Sequence, residues 1–113
     1  MITRSSEQVL DQRPNMRGGN GTVELRALMP ELPEKVRLFS RIELAPGCSI
    51  GYHMHENETE LFFFASGSGR VCDDGTWFDI SAGDAMSTPS GHGHAVENTG
   101  SEPLILSAVI VLD

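Results

Sequence analysis

From Thr22 to Leu112 the chain is a succession of short runs rich in Val, Ile, Leu and Phe, each closed within a few residues by Gly, Pro, Asn or Asp. No segment carries the apolar spacing of an amphipathic helix longer than a turn or two. Such punctuation disfavours helical bundles and layered α/β folds. It predicts strands over residues 22–29, 36–44, 49–53, 60–65, 69–72, 76–80, 85–88, 94–98 and 104–112. Asp74-Gly75 between two apolar pairs is a hairpin signal, because the glycine accepts the positive φ of a tight turn, so most strands are expected to pair antiparallel. Ser66-Gly67-Ser68-Gly69 separates two such runs and reads as a turn, not a linker. Many short strands at close intervals give an all-β sandwich or closed barrel, and closure removes the edges that invite aggregation.

A chain of 113 residues fits one compact domain, here expected over residues 1–113 with a polar N-terminal arm over about residues 1–21. Sixteen acidic against eight basic side chains give a net charge of -8, which repels phosphate backbones and anionic head groups. Neither nucleic acid nor a membrane is an expected partner. The opening MITRSSEQVL lacks the apolar core of a secretory signal and no stretch is apolar enough to span a bilayer, so the expected location is the cytoplasm. In that setting Cys48 and Cys72 are expected as free thiols.

All four histidines fall in two short stretches, Tyr52-His53-Met54-His55 and Gly91-His92-Gly93-His94. In a strand, residues two apart share a face, so His53 and His55 can aim both imidazoles at one point while Met54 faces away. Glu60 opens the next apolar run and a turn can return it to the pair; the distant His94 can add a third imidazole. Alone, an H-x-H is as readily two surface or hydrogen-bonded histidines. Glu58 is a rival carboxylate and His92 a rival imidazole.

The wider spacing narrows these alternatives. From Gly47 there are five residues to His53-x-His55, four more to Glu60 and six more to Gly67. From Gly83 there are five residues to Pro89-x-Gly91, two more to His94 and three more to Asn98. Residues 47–67 and 83–98 thus resemble the two signature motifs of the cupin superfamily, with every defining position filled. The resemblance implies a double-stranded β-helix, or jelly-roll barrel. It implies His53, His55, Glu60 and His94 as metal ligands, Gly47, Gly67, Gly83 and Gly91 as turn residues, and a structural role for Asn98.

One divalent ion per chain is therefore expected, drawn from manganese, iron, zinc, nickel, cobalt or copper, with one or two coordination positions open to a small molecule. Alternation from Glu60 and His94 places Phe62, Phe64 and Val96 on the ligand face, as an apolar pocket wall or as ordinary core. The expected function is a metal-dependent enzyme acting on a small oxygen-rich metabolite, as oxygenase, decarboxylase, isomerase or lyase; the alternative is a binding or sensing module without catalysis. Small proteins similar to this one carry the label oxalate decarboxylase-like. Oxalate decarboxylases hold an arginine three residues before the first ligand histidine, where this chain has Ile50. Arg37, Arg41 and Arg70 are the candidates to supply a cation from elsewhere. The cupin resemblance also implies a homodimer, with residues 1–17 folding over a neighbour.

Overall fold

The computed structural model describes residues 1–113. Its ten strands are β1 (Val9–Pro14), β2 (Thr22–Ala27), β3 (Val36–Leu44), β4 (Ser49–Met54), β5 (Glu58–Ser66), β6 (Ser68–Asp73), β7 (Thr76–Ser81), β8 (Ala85–Thr88), β9 (Gly93–Glu97) and β10 (Leu104–Leu112). Short 3-10 turns occupy Ser5–Glu7 and Met16–Gly18. Six strands form one sheet in the order β1-β2-β3-β10-β5-β8, and four form a second in the order β4-β9-β6-β7. Every pairing is antiparallel. The two sheets face one another across a shared core in which Ile42, Leu44, Phe64 and Leu106 of the first meet Ile50, Val71 and Val96 of the second. This is the jelly-roll architecture expected.

All nine expected segments are strands, with ends moved by two residues at most. The hairpin at Asp74-Gly75 forms between β6 and β7, with φ of 50° and 99° at those residues. The motif glycines Gly47, Gly67, Gly83 and Gly91 all have φ between 84° and 96°, a region closed to most side chains. Asn98 donates from Nδ2 to the carbonyls of Leu44 and Glu102 at 2.8 Å each, tying the β9–β10 connection to the end of β3. Cys48 and Cys72 are free. No helix is long and apolar enough to cross a membrane.

Two features locate the functional end of the barrel. On β5 the inward face runs Glu58, Glu60, Phe62, Phe64, all buried, so the same strand is charged at one end and aromatic at the other. The strand missing from the sequence reading is β1. All six of its residues are exposed, so no alternation of buried and exposed positions marks it. It is held by backbone pairing with β2 from Val9↔Ala27 to Pro14↔Thr22. The arm therefore folds onto its own barrel. Its closing loop lies flat on β4, where a Cβ on Gly51 would stand 2.0 Å from the Arg17 carbonyl oxygen and one on Gly19 would stand 2.1 Å from that of Ser49. Only glycine at both positions permits this contact.

Candidate metal centre

At the charged end of the barrel, β4 brings His53, the turn after it brings His55, β5 brings Glu60 and β9 brings His94. His53 and His94 are direct cross-strand partners, while Glu60 reaches across from the opposite sheet. One ligating atom from each of the four lies within 4.8 Å of every other. The Nε2 atoms of His55 and His94 are 3.1 Å apart and those of His94 and His53 are 3.2 Å apart. Glu60 Oε1 sits 3.0 Å from His55 Nε2 and 3.1 Å from His94 Nε2. His55, Glu60 and His94 are buried and His53 is partly so.

The outer ring nitrogens explain why the inner ones converge. His53 Nδ1 donates to the Gly51 carbonyl at 2.9 Å, where the register of β4 against β9 is interrupted. His55 Nδ1 donates to Glu58 Oε2 at 2.6 Å, and Thr88 Oγ1 pairs with His94 Nδ1 at 2.7 Å. Thr88 is itself the β8 partner of Glu60, so one cross-strand pair supplies a ligating carboxylate and the hydroxyl that steers a ligating ring. With hydrogen on Nδ1 of His53 and His55, their Nε2 lone pairs both face His94 Nε2, at 3.2 and 3.1 Å, and that of His55 also faces Glu60 Oε1 at 3.0 Å. Such a convergence of acceptors is repulsive unless a cation lies among them. The donor set, three imidazoles and a carboxylate with no thiolate, suits a divalent transition metal.

Electrostatics around the cluster point the same way. Burial holds the His53 imidazole down to about 4, opposed by the Gly51 carbonyl and reinforced by the neighbouring His94 ring, the Arg17 charge and the His55 ring. Arg37 grips Glu58 with two bonds of 2.7 Å, Nε to Oε1 and Nη2 to Oε2. This pairing, aided by His55 and opposed by burial, lowers the Glu58 carboxyl to about 2, so it stays an anion and a firm acceptor for the His55 ring. Phe62 stacks on the His94 ring, centroids 4.9 Å apart and planes 14° from parallel, and fixes its tilt.

A cavity of about 430 Å³ opens beside the cluster, lined by His53, His55, Glu60 and Phe62 at its base, by apolar residues including Ile50, and by Arg13, Arg17 and Arg37. Phe62 lines this cavity, whereas Phe64 and Val96 lie in the sealed core, because a strand face continues past the pocket into the barrel interior. His92 points away from the site and bonds Asp74 at 3.0 Å on the surface. Of the three candidate arginines, Arg37 lines the cavity, Arg41 pairs with Glu43 at 3.1 Å, and Arg70 pairs with Glu97 at 2.8 Å.

Sequence reasoning weighs Glu58 only as a competing ligand, takes residues 17–21 as a flexible loop or a backbone approach to the barrel mouth, and gives Thr88 and Arg13 no role. Period-two alternation from Glu60 was a signal for Glu58, since it puts both carboxylates on one face. The glycines of residues 18–21 were a signal for the arm, because they permit close backbone approach. Thr88 left no mark.

Comparison with known proteins agrees with this fold. The cupin domain family matches residues 40–111. An oxalate-binding protein of Thermotoga maritima is 44% identical over 99% of this chain and 94% of its own length. Oxalate decarboxylase OxdC of Bacillus subtilis is 36% identical over 57% of this chain, which corresponds to 18% of that enzyme. The crystal structure of a predicted oxalate decarboxylase from Thermotoga maritima superimposes with a TM-score of 0.95 at 43% identity, covering the whole of both chains. With the family matched over most of its barrel and a relative aligned end to end, this chain belongs to the cupin family.

Proposed function

We propose that the protein binds a small oxygen-rich carboxylate of the oxalate type at a single divalent metal ion held by His53, His55, Glu60 and His94. The observation that carries this reading is the convergence of three Nε2 atoms and one carboxylate oxygen at the base of a cavity that has arginines on its wall. When bound, the ion supplies Lewis acidity to an oxygen ligand, and an iron, copper or manganese ion also supplies redox capacity. The chain's own residues do the rest. Bonds at Nδ1 of His53, His55 and His94 turn each Nε2 toward the ion, with Glu58 and Thr88 fixing ring directions, and Phe62 with Ile50 keeps water from one side of the ligand. The name of the oxalate-binding relative supports the ligand class.

A second reading, metal-dependent catalysis on the same class of molecule, draws support from the likeness to oxalate decarboxylases. Against proton-transfer chemistry, Glu60 is the one acid lining the cavity and is engaged at the cluster, so no separate acid or base faces a bound molecule. Calorimetric titration of oxalate into metal-loaded and chelator-stripped protein tests the primary reading. Binding to the loaded form alone is expected; equal binding to both forms, or to neither, contradicts it. Release of carbon dioxide from oxalate by the loaded form would move the assignment to the catalytic reading.

The whole chain, arm included, is proposed to act as one domain, located in the cytoplasm and paired as a homodimer. Pairing is supported by an apolar row on the outer face of the larger sheet, where Phe39, Val109 and Leu61 lie in register and Phe63 stands beside them, half-exposed. Light scattering is expected to give twice the chain mass, falling to one with Phe63→Glu.

A further inference from the structure

The rim of the cavity is a built structure and not a loose arm. Residues 15–21 join β1 to β2, and the loop closes on itself through Asn15 N–H to the Gly21 carbonyl and Gly19 N–H to the Met16 carbonyl, both at 2.9 Å. It is fastened to β4 by Ser49 N–H donating to the Asn20 carbonyl at 2.9 Å and Asn20 N–H donating to Ser49 Oγ at 2.8 Å. The glycine contacts at Gly19 and Gly51 press it against the strand that carries His53. At its tip Arg17 holds φ 54° and ψ 29°, a left-handed conformation that is unfavourable for a non-glycine residue. Strain of this kind persists where the surroundings impose it and commonly marks a functional position.

The side chain carried there differs from its neighbours. Arg37 spends its guanidinium on Glu58, and Arg13 is bonded to Asp11 at 2.5 Å. Arg17 has no ion pair and no side-chain hydrogen bond, yet it lines the same cavity as His53, His55 and Glu60, close enough for its charge to bear on His53. A protein with a net charge of -8 thus turns an uncommitted cation toward a cavity with a single acid in its lining. An anion is the ligand such a wall would attract.

We propose that Arg17 is the specificity-determining residue of this pocket, receiving the outward-facing oxygens of a small dicarboxylate whose other oxygens face the His53, His55, Glu60 and His94 cluster. The assignment rests on the carboxylate-binding reading above. It selects dicarboxylates over monoanions of the same shape, because a guanidinium matches a carboxylate with two parallel bonds and matches an amide poorly.

The test is calorimetry of the full, metal-loaded chain with two probes, oxalate and oxamate, in which one carboxylate is replaced by an amide. Wild type, Arg17→Gln and Arg17→Gly are compared, with metal per chain counted in each sample. Arg17→Gly accepts the positive φ and so keeps the loop while removing the guanidinium. Both variants are expected to retain the metal, to lose oxalate affinity by about tenfold or more, and to narrow the preference for oxalate over oxamate. Oxalate affinity within about twofold of wild type in both variants overturns the role of Arg17 and leaves the carboxylate reading standing. Failure of loaded wild type to bind either probe overturns both.

Discussion

At the floor of the pocket, the candidate ligands come from three strands of two sheets and the turn after β4, and each ring is held by a neighbour: His53 by Gly51, His55 by Glu58 and His94 by Thr88. At the rim, Arg13 and Arg17 are exposed residues of one arm, fixed by backbone hydrogen bonds and two glycine contacts. The floor can be rearranged only by disturbing the barrel. At the rim, Arg13 and Arg17 can change without touching the core, which the arm meets through Met16. That contrast teaches how a shared barrel keeps one metal chemistry while its ligand preference varies.

The sharpest break between the two regions is expected from His55→Ala, which removes a buried ligand and should abolish metal retention on a chelator column, while Arg17→Gly retains it. Glu58→Gln comes next. It leaves all four ligands in place but removes the anion that orients His55 and pairs with Arg37, so metal affinity should fall by about 10- to 100-fold in a chelator competition assay. Thr88→Val is expected to weaken metal binding by about tenfold, because the lost hydroxyl oriented the His94 ring through Nδ1, without the charge that Glu58 brings to His55. An Arg13→Ala change should alter oxalate affinity by less than about threefold, since that side chain is already engaged with Asp11. Should Arg13→Ala weaken metal binding as much as Thr88→Val does, the division into floor and rim is wrong.

The mildest effect is on stability against pH in chelator-stripped protein. His53 titrates at about 4 in the folded chain against 6.5 when exposed. Between those values the unfolded chain holds the extra proton, so this contribution is complete above about pH 6.5 and is lost as pH falls toward 4. The thermal midpoint should drop over that interval, and less so in His53→Gln.

How far the sequence could be read follows the same division. Most of strands β2 to β10 bury residues on at least one face, which period-two patterns announced; β7, exposed apart from a half-buried Ile80, was announced by the Asp74-Gly75 turn before it, and His53, Glu60 and His94 rode on these strands. β1 buries nothing, and a strand held only by its backbone has no pattern to detect. Glu58 was visible as a carboxylate on the right face, but Asn57, at φ 61°, turns the chain so that Glu58 meets the outer nitrogen of His55, and spacing alone does not reveal that turn. Alternation put Phe62, Phe64 and Val96 on one face without separating pocket wall from core; Phe64 and Val96 lie in the core.

Metal content tests the central claim most directly. Untagged protein, purified without chelator and in the absence of oxidants, is measured by plasma mass spectrometry beside His94→Ala, with circular dichroism to establish that both are folded. The four-residue centre predicts about one divalent transition metal per chain in the wild type and none in the variant. A folded wild type that holds no metal and takes up none when manganese, iron, zinc, nickel, cobalt or copper is offered would contradict it.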